Sequence, residues 1–158
     1  MGKRSDFERV PRDYYPTPIE AVEPLIPHLP YAFDYVEPCA GDGRLIQHIE
    51  QLTEGHAECL FACDIEPRAE GIYKHDALDL TFGEYGVTDF CITNPPWDRK
   101  ILHPLMEMWM QMCPTWLLFD ADWMHTKQSA ILMTYCVKVV SVGRVKWIEG
   151  SKSVGKDN

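Results

Sequence analysis

The sequence has no long apolar run, no closely paired cysteines and no excess of positive charge, and each absence excludes a class of protein. No stretch approaches the roughly 20 apolar residues that a membrane-spanning helix needs. No apolar segment follows the charged residues at the amino terminus, as a secretory signal would require. We therefore expect a cytoplasmic protein that has no membrane partner.

Cysteines are present but are not arranged as metal ligands. The chain has six, none of them in a Cys-x-x-Cys pair, and most stand in apolar stretches. That arrangement favours buried thiols over disulfide bonds or metal ligands. We expect no structural metal.

Positive charge is scarce, with a formal net charge of −9, and this argues against binding to a phosphate backbone. The distribution is uneven, however. Residues 1–122 hold nine Lys and Arg against 22 Asp and Glu, whereas residues 123–158 hold six against two. These six form either a phosphate-facing surface or an ordinary solvated face. They are Lys127, Lys138, Arg144, Lys146, Lys152 and Lys156.

The length of 158 residues and the hydrophobic fraction of 46% fit a single globular domain. We expect residues 1–13 to be a flexible amino-terminal segment and residues 148–158 to be a basic carboxyl-terminal tail. Between them, apolar runs of strand type alternate with apolar residues at helical spacing. This alternation predicts an α/β fold built on an open, mostly parallel sheet.

The predicted elements can be placed along the chain. A strand from Phe33 leads through a glycine turn into a helix that includes Leu45 and Leu52. The later predicted strands are Glu58–Asp64, Ile72–His75, Phe90–Ile92, Trp116–Asp120 and Val137–Ile148. The later predicted helices are Ile101–Met112 and Thr126–Tyr135.

The most informative stretch runs from Asp89 to Trp97 and ends in Asn-Pro-Pro-Trp. Pro95 and Pro96 end the strand because neither can donate a backbone hydrogen bond, so Asn94 stands at the carboxyl end of the strand. The Asn94 oxygen and the Pro95 carbonyl could each accept an N–H from a planar amino group, while Trp97 stacks on the ring. A plain Asn-Pro turn is the alternative.

A glycine turn, Gly41-Asp42-Gly43, follows the first strand. Glycines permit positive φ and close approach of the backbone to a ligand. The third glycine of the dinucleotide fingerprint is missing, and the carboxylates of Glu37 and Asp42 flank the turn. These charges favour a ligand that carries positive charge, such as an amino acid ammonium or a sulfonium.

Acidic residues also end the next two strands. Asp64 stands roughly 20 residues beyond the glycine turn, where an acid can accept both hydroxyls of a ribose, with Glu66 as the alternative. Asp76 either accepts the amino group of an adenine or is an exposed loop carboxylate. Because the carboxyl ends of parallel strands meet at one edge, we expect these acids to share a crevice with Gly41 and Asn94.

An early Thr-Pro element predicts the start of a helix. Thr17 is the expected N-cap, Pro18 the first helical residue and Glu20 the partner in a capping box. Pro24 and Pro27 should keep this helix short. Its free N–H groups either hold a carboxylate or are simply capped.

Five motifs in order resemble those of S-adenosylmethionine-dependent amino methyltransferases, especially the small phage-type DNA adenine-N6 methyltransferases. They are Tyr-Pro-Thr-Pro, Glu-Pro-Cys-Ala-Gly-Asp-Gly, Cys-Asp-Ile-Glu-Pro, Asp-Ala-Leu and Thr-Asn-Pro-Pro-Trp. Their order is similar to the gamma arrangement of these enzymes. The resemblance, which runs from about Tyr14 to the chain end, implies a Rossmann-like sheet of the class I methyltransferase type. It also implies S-adenosylmethionine as cofactor and adenine in DNA as target.

The resemblance assigns roles to individual residues. It implies that Thr17 holds the methionine carboxylate, Asp64 the ribose and Asp76 the adenine of the cofactor. The full set of implied cofactor contacts is Tyr15, Thr17, Glu37, Cys39, Gly41, Gly43, Asp64, Ile65, Asp76 and Ala77. The implied catalytic residues are Asn94, Pro95, Pro96 and Trp97. The expected target contacts are Trp97, Trp147, Arg99 and Lys100, with Trp123 as the alternative second aromatic.

The chain departs from this family in two ways. The family's sheet closes with a strand hairpin, whereas here we expect the last strand to be missing or shortened, and the bare edge could pair with a second copy. We expect no separate target-recognition domain, and therefore a broad or short recognition site. RNA adenine, a protein glutamine, or an inactive cofactor-binding partner subunit remain alternative interpretations.

Overall fold

The computed structural model describes residues 14–81 and 87–147, so the predicted flexible segment 1–13 and the predicted tail 148–158 lie outside the described residues. Five strands form one sheet in the order β3-β2-β1-β4-β5, and every pair is parallel. The strands are β1 (Phe33–Glu37), β2 (Ala57–Asp64), β3 (Tyr73–Lys74), β4 (Phe90–Thr93) and β5 (Thr115–Leu117). The predicted α/β fold with a parallel sheet is confirmed.

The α-helices of the described residues are α1 (Ile19–Val22), α2 (Arg44–Leu52), α3 (Arg99–Met112) and α4 (Ala130–Met133). The 3-10 helices are Glu23–His28, Ala77–Asp79, Ala121–His125 and Lys127–Ser129. Helix α1 is as short as its prolines predict, because the chain tightens into the 3-10 helix Glu23–His28. No helix of the described ranges has the length and apolar character to cross a membrane.

Helices cover both faces of the sheet. Successive residues of β1 point to opposite faces. Tyr35 packs in a cluster with Ile49 of α2, whereas Val36 packs with Leu105 and Trp109 of α3. The sheet is therefore the middle of three layers, and its strand ends open between them.

The strand order reverses next to β1. Strand β1 pairs with β2 on one side and with β4 on the other. The chain passes first toward β3 and then crosses to the opposite side at β4. In open α/β sheets, ligands bind outside the carboxyl ends of the strands at such a reversal. This position lies beside Glu37 of β1 and Asn94 after β4.

The predicted long strand from Val137 to Ile148 is wrong over its described part. Only Arg144 takes part in a β-bridge, and residues 137–143 and 145–147 belong to no strand. Val137 is 99% exposed and Val139 is 60% exposed, so these two side chains bury little apolar surface against the sheet. Strand propensity reflects packing on neighbours more than an intrinsic backbone preference.

Three further elements are shorter than predicted, and the first is β3, which keeps only Tyr73–Lys74 of the expected Ile72–His75. The helix expected over Thr126–Tyr135 divides into the 3-10 helix Lys127–Ser129 and the single turn of α4. Strand β5 ends at Leu117 and does not reach Asp120. Within the described residues β5 lies at one edge of the sheet, next to β4.

Candidate active site

A cavity of about 310 Å³ opens at the carboxyl edge of the sheet, next to the reversal in strand order. Sites for small molecules have volumes of roughly 300–1,000 Å³, so this one is large enough for a compact ligand. It brings together most of the residues expected from the sequence. These are Tyr15, Thr17, Glu37, Cys39, Gly41, Asp64, Ile65, Asp76, Ala77, Asn94 and Pro96.

Six expected site residues do not line this cavity: Gly43, Pro95, Trp97, Arg99, Lys100 and Trp147. Gly43 is the N-cap of α2, and its φ of +78° explains the need for glycine there. Trp97 and Trp147 instead meet each other edge to face, with ring centroids 6.0 Å apart. Trp123, the alternative aromatic, is buried in a core cluster and donates its indole N–H to His103.

The Asn94 side chain is held by the segment before α1. Its Nδ2 donates to Thr17 Oγ1 at 3.1 Å and to the Tyr15 carbonyl oxygen at 3.4 Å. These bonds use both amide hydrogens, and Oδ1 accepts no hydrogen bond from the described residues. Asn94 therefore offers a spare acceptor in the cavity wall.

The capping box predicted for Thr17 is not present. Pro18 is the N-cap of α1, without a side-chain hydrogen bond. The Thr17 hydroxyl lies against Asn94, 77 residues further along the chain, and Thr17 is only 6% exposed. A buried hydroxyl needs a hydrogen-bond partner, and for Thr17 that partner is the Asn94 amide rather than a backbone N–H of α1.

Glu37 places a carboxyl group in the cavity wall, fully buried at the end of β1. Its Oε1 accepts from the Thr93 hydroxyl and from the Cys39 N–H, whereas Oε2 has no hydrogen-bond partner among the described residues. Burial raises the pKa of Glu37 from 4.5 to about 8, and nearby Asp64 acts in the same direction. The two hydrogen bonds oppose that shift. A cation placed in the cavity would favour the ionised form.

Asp64 fixes the glycine turn from the end of β2. Its Oδ2 accepts from Gly41 N at 2.8 Å and its Oδ1 accepts from Glu66 N at 2.8 Å. Each carboxylate oxygen keeps a second lone pair, so Asp64 can still accept from a ligand hydroxyl. The side chain that was expected to hold a ribose thus also shapes the loop beside it.

Asp76 occupies a comparable position after β3. Its Oδ1 accepts from Leu78 N at 3.0 Å and caps the 3-10 helix Ala77–Asp79. The second carboxylate oxygen is not used by that cap. Asp76 lines the cavity on the side opposite β4 in the strand order, with Ala77 buried next to it.

Two lining residues, Tyr14 and Arg68, were not anticipated from the sequence. The Arg68 guanidinium carbon lies 3.8 Å from the centroid of the Tyr14 ring, and Arg68 N donates to the Gly41 carbonyl. Burial and a hydrogen bond with Asp42 raise the pKa of Tyr14 to about 12. The pair covers the glycine turn, and no local pattern signals it because the partners are 54 positions apart.

Replacing Gly41 with alanine should destabilise the fold. Gly41 has a φ of +54°, and a Cβ there would lie 3.0 Å from the Tyr14 ring. A left-handed non-glycine residue costs about 1–3 kcal/mol. The contact with the Tyr14 ring adds to this cost, so we expect urea unfolding to show a free energy of unfolding that is lower by more than the backbone cost alone, together with weaker ligand binding in the cavity.

The matched control is Gly55→Ala, because Gly55 has a φ of +78° but no atom within 4 Å of the added Cβ. Gly55→Ala should lower the free energy of unfolding through its left-handed backbone alone, because no Tyr14 ring lies against the added Cβ. Equal destabilisation by both substitutions would show that the Tyr14 ring does not pack tightly over the glycine turn.

The basic residues expected to face a phosphate are solvent-exposed where they are described. Lys127, Lys138, Arg144 and Lys146 are exposed, whereas Lys152 and Lys156 lie outside the described ranges. Lys100 is exposed at the start of α3, next to Arg99, whose guanidinium donates to Gln128. The chain after β5 therefore supplies four of the exposed cations of the described residues, and the chain before β5 supplies four others, Arg68, Lys74, Arg99 and Lys100.

No protein-family model, curated protein or solved structure matches this chain.

Proposed function

We propose that this protein transfers a methyl group from S-adenosylmethionine to the N6 amino group of adenine in DNA. One observation carries the proposal: the Asn94 side chain lines the cavity, its Nδ2 donates to Thr17 and Tyr15, and its oxygen has no partner among the described residues. An acceptor fixed in this way suits an amino group, which must donate to it.

The cavity residues fit the proposed cofactor by charge. S-adenosylmethionine carries a sulfonium and an ammonium group, and the cavity wall contains Glu37, Asp64 and Asp76. Oε2 of Glu37 is buried without a partner, so a nearby cation would offset the cost of ionising it. Arg68 is the basic residue in this wall and a candidate to face the cofactor's carboxylate.

Asp64 and Asp76 would hold the nucleoside part of the cofactor. Each uses lone pairs to fix a backbone turn and retains others for a ligand. Asp64 would accept from the ribose hydroxyls, and Asp76 would accept from the cofactor's adenine amino group. The three acids would then bind successive parts of one elongated ligand.

When bound, the cofactor would supply an electrophilic methyl group: a C–N bond would form as the C–S bond breaks, the sulfonium would leave as a neutral thioether, and the methylated nitrogen would release a proton to water. Asn94 accepts a hydrogen bond from the target amine and stabilises the positive charge that develops on its nitrogen. It also turns the nitrogen lone pair out of ring conjugation. Positioning and electrostatic stabilisation of this kind account for most of such a rate enhancement.

The indole of Trp97, three residues after Asn94 in the chain, favours a base as the carrier of that amine, although neither Trp97 nor its partner Trp147 lines the cavity itself. Trp97 and Trp147 form an edge-to-face pair, so each ring has at least one face that its partner does not cover. Such a face can stack on an extruded base and offset part of the few kcal/mol that flipping costs. The exposed lysines after β5 would attract the phosphate backbone.

Labelled-methyl transfer tests the proposal. The chain is incubated with cofactor labelled in its methyl group and with adenine-containing DNA, RNA or a glutamine-containing protein in separate reactions. We expect label in DNA, at N6 of adenine, and none in a DNA polymer that lacks adenine. Transfer to RNA or protein alone would assign a different target. Cofactor binding without any transfer would instead favour an inactive partner subunit.

A further inference from the structure

We propose that Thr17 is a positioning residue that sets the orientation of the Asn94 amide, an inference that rests on the proposed function. Three features of the structure lead to it. They are the direction of the hydrogen bonds, the rigidity of the segment that carries Thr17, and the fact that the Thr17 side chain does not cap α1.

The direction of the hydrogen bonds specifies which end of the Asn94 amide faces Tyr15 and Thr17. The Tyr15 carbonyl accepts only, so it pairs with the nitrogen of Asn94 and would repel its oxygen. The Thr17 hydroxyl adds the shorter of the two contacts, 3.1 Å against 3.4 Å. Together they hold Nδ2 toward the segment before α1 and leave the acceptor Oδ1 without a partner among the described residues.

The segment that supplies both acceptors is itself fixed. Pro16 and Pro18 flank Thr17 and restrict the backbone on each side of it. His48 of α2 lies with its Nε2 3.1 Å from the Thr17 carbonyl oxygen, in hydrogen-bond contact. Thr17 is 6% exposed, so water competes little for its hydroxyl.

A residue that orients Asn94 has a different role from one that contacts the methionine carboxylate of the cofactor. The two roles predict different effects of a Thr17 substitution on the rate of methyl transfer and on cofactor binding. A residue that orients Asn94 affects the methyl-transfer step. A residue that binds the carboxylate affects the dissociation constant of the cofactor. Single-turnover rates at saturating cofactor separate these effects from each other and from product release.

The test compares Thr17→Val, which keeps the shape but removes the hydroxyl, with Thr17→Ser, which keeps the hydroxyl. We expect Thr17→Val to lower the single-turnover rate by on the order of tenfold, the loss that follows from one hydrogen bond. Its Kd for S-adenosylhomocysteine should stay within about threefold of wild type. Thr17→Ser should restore the rate to within about threefold.

A second readout does not depend on activity. The side-chain NH2 resonances of Asn94, assigned by their loss in Asn94→Ala, should shift in Thr17→Val and hold their wild-type positions in Thr17→Ser. An unchanged single-turnover rate in Thr17→Val would overturn the inference, and so would unchanged Asn94 resonances. If the wild-type protein transfers no methyl group, the proposed function fails, while the resonances still report on the hydrogen bond.

Discussion

Replacing Asn94 with alanine should lower the single-turnover rate of methyl transfer by about 10²–10³-fold, the loss seen when one preorganised hydrogen-bonding group of an active site is removed. Asn94 Oδ1 is the acceptor that is left over once Tyr15 and Thr17 have taken both amide hydrogens. Without it the target amine has no fixed partner in the cavity. Cofactor binding should change little, because Glu37 and Asp64 remain in place.

Asn94→Asp is the matched control for that substitution. It keeps the shape and an acceptor oxygen but loses both N–H groups, so one carboxylate oxygen would face the Tyr15 carbonyl without a hydrogen between them. We expect a rate between those of wild type and Asn94→Ala. A wild-type rate in Asn94→Ala would remove Asn94 from the mechanism.

Glu37→Gln should remove a large pH dependence of stability. Burial raises the pKa of Glu37 from 4.5 to about 8, so between these values the folded protein keeps a proton that the unfolded chain has lost. The contribution is therefore fully present below pH 4.5 and is lost as the pH rises to about 8. The free energy of unfolding should fall by up to about 1.4 kcal/mol per pH unit across this range.

Urea unfolding from pH 5 to pH 8.5 measures that slope. Glutamine does not titrate, so Glu37→Gln should show a flatter profile than wild type. Glu58→Gln is the control, because Glu58 is an exposed side chain on the same sheet, and its profile should match wild type. A wild-type slope in Glu37→Gln would mean that the buried carboxyl group does not hold a proton in the folded state.

The positions that sequence predicts correctly at this edge of the sheet are those with local causes. Asn94 stands at the end of β4 because two prolines end the strand, and Gly41 turns with positive φ because glycine permits it. Asp64 and Asp76 reach the same edge because parallel strands bring their carboxyl ends together. Each of these follows from a few adjacent residues and the chain direction.

The parts that sequence reasoning missed depend on partners far along the chain. Thr17 has the pattern of an N-cap, yet its hydroxyl bonds to Asn94 instead. Val137 has a strand-like setting but is almost fully exposed, so it gains little from a strand conformation. Arg68 stacks on Tyr14 without any motif that links them. Short sequence patterns reflect local conformational preference, and they do not show which residue from a distant part of the chain will contact a given side chain.

We propose that a sulfur-bound methyl group and a target nitrogen meet at the carboxyl edge of the sheet. A co-crystal structure with S-adenosylhomocysteine would locate the sulfur atom. We expect the ligand in the 310 Å³ cavity, with its ribose at Asp64, its adenine at Asp76 and its sulfur facing Asn94 Oδ1. A ligand bound elsewhere on the protein, or excluded from it at saturating concentration, would rule out this placement of the methyl donor.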